Sequence, residues 1–349
     1  MRLHPLLEDP AAVAVFCRPV IDPVGWPQFR LAAQEALAAL RLELDGEKAV
    51  LKPNVTAGEH FADPESGIQT HPAFVWGMAE YLQQHGVRRG GIYLLEDPRD
   101  TDDNEPRHWK GTGYPKVARA TGAHLRCPTS FTCVTRQVPR PLCHPERKVS
   151  RLAVDQGTVL INVPKLKTHN LGITTLCMKN LMGVVNVWDR HYCGQAWHEL
   201  PEAMREAAAA RKRGRREVHE LCQHGLARRL ADLAQVVQPH LNVVEGIVGR
   251  DGSGFQHGRN HALGLVVAGT NVVAVDSVAS YLMGFDPRKV IYLQVAAKAG
   301  LGINQVSRLR VYEARDGDLH RCRDLARLRL RPRFRVITGA AKNDRTYNL

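Results

Sequence analysis

The residues best equipped for chemistry sit in one block, Ile161-Asn-Val-Pro-Lys-Leu-Lys-Thr-His169, followed shortly by Met178-Lys-Asn180. An apolar run passes directly into Lys165, Lys167, Thr168 and His169, while Lys179 and Asn180 stand inside the otherwise apolar stretch from Leu171 to Val187. Lysine is seldom buried without a partner. Lys179 therefore either extends its ammonium to solvent, or holds a charge for an anionic ligand, or works as a base or nucleophile of lowered pKa. His169 titrates near neutral pH and suits general acid–base work.

Further polar groups stand at the ends of apolar runs. Lys52-Pro-Asn54 offers a cation, a stiffened turn and an amide, although Pro and Asn also make plain turns. In Thr70-His71-Pro72 the first two residues suit a helix N-cap and Pro72 its first turn. A histidine there could also join an anion site, because free N–H groups gather at a helix start. The segment Glu245-Gly-Ile-Val-Gly-Arg-Asp-Gly-Ser-Gly254 reads as a loop after an apolar strand. Gly252 and Gly254 would let backbone approach a ligand, and Glu245 and Asp251 could serve as acid–base or metal-binding carboxylates. No Gly-Lys-Ser/Thr ends this segment, so it is not a Walker loop. Asp276 lies in the apolar helical pattern Val272 to Leu282 and is either a hydrogen-bond hub or a site residue. His191, Cys193 and His198 form a candidate metal set, though His-x-Cys-x4-His is not a standard zinc spacing.

The elements that must position these groups follow an α/β pattern. Ala12–Cys17, Lys48–Pro53, Gly91–Glu96, Val159–Val163, Leu241–Glu245, Leu263–Ala268 and Leu309–Tyr312 read as strands, and Pro27–Leu42 and His71–His85 as helices. Continuous apolar strands separated by helices imply a mostly parallel sheet with helices on both faces. One domain over 1–349 is expected, with its core at 48–302. An irregular insert spans about 97–150, a helical basic insert about 198–238, and an Arg-rich C-terminal segment 308–349. Ligands of such sheets bind beyond the carboxyl ends of the strands.

Composition narrows the class. With 44% hydrophobic and 24% charged residues in 349, the chain has a globular composition. No run approaches the roughly 18 apolar residues of a membrane span. Met1 to Pro10 places Glu8 and Asp9 where a signal core would be apolar, so a cytoplasmic location is expected. The net charge of +13 is concentrated. Residues 203–230 hold 8 Lys+Arg against 3 Asp+Glu, and residues 308–335 hold 10 Arg against 4. The body between them is nearly neutral. The eight cysteines contain no Cys-x-x-Cys pair, which leaves an iron–sulfur cluster or zinc ribbon without its ligand spacing. The looser group Cys127, Cys133, Cys143 and His144 could hold a metal in a loop.

In sequence order, Lys52-Pro-Asn54, Thr70-His-Pro72, Pro164-Lys-Leu-Lys-Thr-His169, Met178-Lys-Asn180 with Gly183, the 245–254 segment, and Val275-Asp-Ser-Val-Ala279 with Gly284-Phe-Asp286 resemble the domain of unknown function 362 family over residues 48 to 302. Many members carry an appended ferredoxin-like iron–sulfur module; this sequence departs there, because without a Cys-x-x-Cys run an iron–sulfur cluster of its own is not expected.

The leading expectation is an enzyme acting on a small anionic substrate. Lys167, His169, Lys179 and His71 would be catalytic. Lys52, Asn54, Thr70, Lys165, Thr168, Asn180, Gly252 and Gly254 would bind the substrate between Lys52, His169, Lys179 and the 245–254 loop. Two alternatives remain at this point. One is a metal- or iron–sulfur-associated redox protein, with a divalent metal or a redox partner protein. The other is a nucleic-acid-binding protein using the Arg-rich segments, disfavoured by an aromatic content of 6%.

Overall fold

The computed structural model describes residues 1–46, 48–55, 63–97, 109–129, 132–186, 189, 191–209, 215–255, 257–331 and 333–338. Part of the expected irregular insert, residues 211–214 of the basic run and the last eleven residues therefore lie outside the described residues.

In chain order the strands are β1 (Ala12–Cys17), β2 (Lys48–Pro53), β3 (Ile92–Leu95), β4 (His124–Arg126), β5 (Cys133–Gln137), β6 (Glu146–Ser150), β7 (Thr158–Val163), β8 (Lys165–His169), β9 (Ile173–Thr175), β10 (Leu241–Arg250), β11 (Asn260–Gly269), β12 (Arg310–Arg315) and β13 (Asp318–Arg321). The helices are α1 (Trp26–Ala39), α2 (Pro72–Gln84), α3 (Tyr114–Thr121), α4 (Cys177–Asn180), α5 (Tyr192–His198), α6 (Glu202–Ala209), α7 (Arg215–Val236), α8 (Val272–Leu282) and α9 (Ile291–Lys298). Among the described residues no helix is long and apolar enough to cross a membrane.

One sheet organises the chain in the order β13-β12-β1-β11-β10-β7-β2-β3-β4. The run β10-β7-β2-β3-β4 is parallel throughout, whereas β11 pairs antiparallel with both β1 and β10. Alternation along each strand sends side chains to two faces. Leu51, Ile161, Val243 and Val266 pack with Phe29, Phe74 and Leu82 of α1 and α2. Val50, Leu160, Val244 and Val267 pack with Met178, Leu230, Val275 and Leu293 on the other side. Both faces are thus covered, which is why the central strands are apolar runs.

Within residues 97–150, β4 follows α3 and extends the sheet beside β3, and β5 and β6 form a separate antiparallel hairpin. Beyond β7, Pro164 turns the chain into β8, which pairs with β10 on one edge and β9 on the other. The sequence reading placed a loop at residues 245–254. Residues 245–250 instead continue β10, because that strand outruns β7 and takes β8 as its new neighbour.

Candidate functional site

A cavity of about 650 Å³ opens at the carboxyl ends of β2, β3 and β8, the end at which parallel sheets bind ligands. Lys167 and His169 supply one side of its lining from β8, and Lys179 and Asn180 another from α4. Asn54 follows β2 and Glu96 follows β3. His191, Cys193 and His198 of the α5 segment complete the enclosure, with Phe255 from the turn after β10. Asn54, Lys167, His169, Lys179 and Asn180 from the strand-end motifs and the separate 191–198 set therefore meet in one space.

Lys52 lies directly behind that lining and is fully buried. Its Nζ donates to Glu96 Oε2 at 2.5 Å, to the Pro53 carbonyl at 2.7 Å and to Asn180 Oδ1 at 3.1 Å. Burial lowers the Lys52 pKa, and the Glu96 carboxylate opposes that shift. Three acceptors about one Nζ are the company of an ammonium. Glu96 also accepts N–H bonds from Val55 and Asp97, so its charge is held on both oxygens. Glu96 escaped the sequence reading because it looks like an ordinary strand end. Its signal was position: β3 lies parallel beside β2, so Glu96 emerges next to the lysine strand.

A chain of buried amides continues from this pair. Asn180 donates to Asn162 Oδ1 at 2.8 Å and to the Lys52 carbonyl at 3.0 Å; Asn162 donates to Asn242 at 2.9 Å. These bonds fix α4 over the ends of β2 and β7. Asp276 secures the same helix from beneath. Its carboxylate accepts from Cys177 N at 2.6 Å and Met178 N at 3.1 Å, and from the Tyr292 hydroxyl at 3.2 Å. Burial raises its pKa to about 6, against the pull of those bonds. Asp276 is thus a hydrogen-bond hub that seats the helix bearing Lys179 and does not line the cavity.

Lys179 is half-buried, and among the described residues its amino group has no hydrogen bond or ion pair. Lys167 is buried and donates to the Ile68 carbonyl at 2.8 Å. The His169 Nδ1 accepts backbone N–H bonds from Leu171 and Gly172, both at 3.0 Å.

Several expected site residues lie elsewhere. Lys165 and Glu245 form a second buried pair at 2.6 Å on the α1–α2 face of the sheet, since Glu245 alternates with Val243 and Ile247 there. Burial lowers the Lys165 pKa, with Glu245 opposing. His71 is buried and stacks on Phe29 at 3.8 Å. Its Nδ1 caps α2 by accepting from Ala73 N, and its backbone N–H donates to Glu245. Burial, helped by the Lys165 charge, drives its pKa down to about 3. The ring is therefore neutral near pH 7 and lies outside the cavity lining, apart from the Lys167, His169 and Lys179 with which the sequence grouped it. Thr70 bonds the Val163 carbonyl and Asn54 N, tying the α2 entry to the strand ends.

The turn after β10 has a structural logic of its own. Asp251 accepts from Arg259 N at 2.8 Å and faces Arg335 and His261. Thr168 donates to the Gly252 carbonyl at 2.8 Å. Gly254 has φ +88°, and a Cβ there would meet the Thr168 carbonyl at 2.1 Å. Gly252 and Gly254 thus permit close backbone packing on β8; the cavity lining comes from Phe255. Among the described residues no three His, Cys, Asp or Glu side chains are grouped to hold a metal, so neither His191, Cys193 and His198 nor the Cys127 group is assembled as a ligand set.

A thylakoid-associated protein of Synechocystis sp. is 26% identical over 265 residues, covering 74% of this chain and 69% of that protein. A crystal structure of a Thermotoga maritima protein aligns at a TM-score of 0.43 and 10% identity, covering 84% of this chain; this chain spans 61% of the length of that one. The family model described as domain of unknown function (DUF362) matches residues 49–281, from β2 into α8, a span that contains every residue lining the cavity. The chain belongs to the DUF362 family.

Proposed function

We propose that the cavity binds a small anion, a carboxylate or phosphate compound, and that the protein is an enzyme acting on it. The observation that carries this reading is Lys179, a half-buried cation without a partner among the described residues, lining the same space as Lys167 and His169. A cation partly removed from water gains most from a counter-charge brought to it. The carboxylate nearest at hand, Glu96, is committed to Lys52 and two N–H groups. Lys179 would thus anchor the anion, Asn54 would orient it, and His169 would meet its reacting end, while Asn180 holds α4 in place through its bonds to Lys52 and Asn162.

The test is calorimetric titration with inorganic phosphate, succinate and citrate, using wild type and Lys179→Met. Binding of one of these anions, weakened at least tenfold by Lys179→Met, is expected. Equal affinity in the two proteins would remove Lys179 from the site and this reading with it.

A further inference from the structure

We propose that the cavity takes an amphipathic ligand, a carboxylate or phosphate ester whose body is an aromatic ring, and that Gly194 leaves the room the ring occupies. This rests on the anion-site reading above and names the class of ligand for that same site.

Volume is the first observation. The cavity measures about 650 Å³. Sites of roughly 300–1,000 Å³ hold whole organic ligands, whereas a bare phosphate displaces only a few waters of about 30 Å³ each. An anionic group held at Lys179 therefore leaves most of the space to the rest of its molecule.

The lining indicates what that rest is made of. Met182 follows Lys179 by three residues across the helical turns Cys177–Asn180 and Leu181–Val184, so the two stand side by side on one wall. Phe255 accompanies His169, with 6.4 Å between ring centroids. A polar group and an apolar one are thus paired at two places in the lining. Phe255 is half-buried, and among the described residues it joins none of the hydrophobic cores. Met182 is half-buried as well. Apolar side chains left partly wet in a cavity gain from an apolar surface laid against them. A thioether and a phenyl ring both pack favourably on another aromatic ring.

Gly194 is the third observation. It lines the cavity from α5, and a Cβ there would meet nothing within 4 Å. Its φ lies outside the left-handed region, so the backbone does not call for glycine either. Glycine inside a helix costs stability that most other residues would restore. Gly225 of α7 is the contrast: a Cβ there would come within 3.0 Å of the Ala196 Cβ, so that glycine serves the packing of α7 on α5. The bare backbone at 194 has its use in the ligand, because a side chain there would project into the space the ring needs.

The test is calorimetric titration of inorganic phosphate and phenyl phosphate into wild type, Gly194→Leu and Phe255→Ala. Phenyl phosphate should bind wild type about tenfold or more tightly than phosphate, the gain from covering one ring. Gly194→Leu and Phe255→Ala should each remove most of that advantage and leave phosphate affinity within about twofold of wild type. Leucine at 194 is the better helix former and stands in open space, so that variant keeps its fold. Phenyl phosphate binding no tighter than phosphate, or an advantage that survives either substitution, would overturn the proposal and leave the anion site standing. If neither compound binds wild type, or if Lys179→Met binds both as well as wild type does, the anion-site reading fails and the proposal falls with it.

Discussion

Gly183 stands so close to Glu96 that a Cβ on residue 183 would lie 1.7 Å from Oε1 and 2.6 Å from Lys52 Nζ. The missing side chain is what lets a buried ion pair sit against the backbone after α4. Gly183→Ala must push that pair apart or lift the segment away. A loss of about 3 kcal/mol is expected, the sum of over-packing and a disturbed buried pair, measured by urea denaturation. Gly194→Ala is the contrast: a Cβ there meets nothing within 4 Å, and residue 194 is helical. It should stabilise by about 0.5–1 kcal/mol.

The Lys52–Glu96 pair should be strongly coupled. Lys52→Met leaves a buried carboxylate without its cation and should cost about 3–5 kcal/mol. Adding Glu96→Gln removes the stranded charge while keeping an acceptor for Val55 N. The double variant should therefore recover about 1 kcal/mol or more over Lys52→Met alone. A double variant as unstable as the sum of the singles would show that the pair is not energetically linked.

His71 predicts a pH dependence with a definite sign. Its pKa is about 3 in the folded protein and 6.5 in a free chain, so the unfolded state binds the extra proton first as pH falls. Stability from this residue is present above pH 6.5 and declines toward pH 3, by about 1.4 kcal/mol per pH unit within that window. His71→Asn keeps a capping side chain but does not titrate. The wild-type-minus-variant stability difference should fall with that slope between pH 6 and pH 4, and a flat difference would exclude it.

Asp276 acts on the cavity at one remove. Asp276→Ala strands the N–H groups of Cys177 and Met178 at the start of α4, a loss of about 1–3 kcal/mol. Since α4 carries Lys179 and Asn180, anion affinity should fall although residue 276 touches no ligand. Phosphate titration of folded Asp276→Ala checks this, and unchanged affinity would show that α4 holds its place without the carboxylate. The native carboxylate itself, at about pKa 6 against 3.8 in a free chain, favours folding below pH 3.8, and that benefit is lost as pH rises through 6.

Much of this was legible in the residues. The core strands and the helices at 26–39 and 72–84 were visible because both sheet faces are covered, which leaves unbroken apolar runs. Lys167, His169, Lys179, Asn180 and Asn54 were visible because polar groups stood at the ends of those runs. What was hidden depends on geometry across the sheet. Glu96 gains its meaning only from β3 lying beside β2. Lys165 and Lys167 look equivalent in sequence, yet Lys165 meets Glu245 on the α1–α2 face while Lys167 reaches the cavity rim. His71 looked like a catalytic histidine, and burial against Phe29 with a capping bond gives it a different task. The α5 wall could not be joined to the lysines from sequence, because more than ten residues separate it from α4 and only the fold brings it back.

The strand that carries Lys167 and His169 is hydrogen-bonded along both edges, to β10 and to β9. A ligand entering the cavity consequently finds this wall already ordered and need not recruit it. Amide exchange along β8 should be slow even in the empty protein, and binding should proceed without a large unfavourable entropy from that strand. Differences in affinity among small anions would then report their own shape and charge, read against a surface that does not adjust to them.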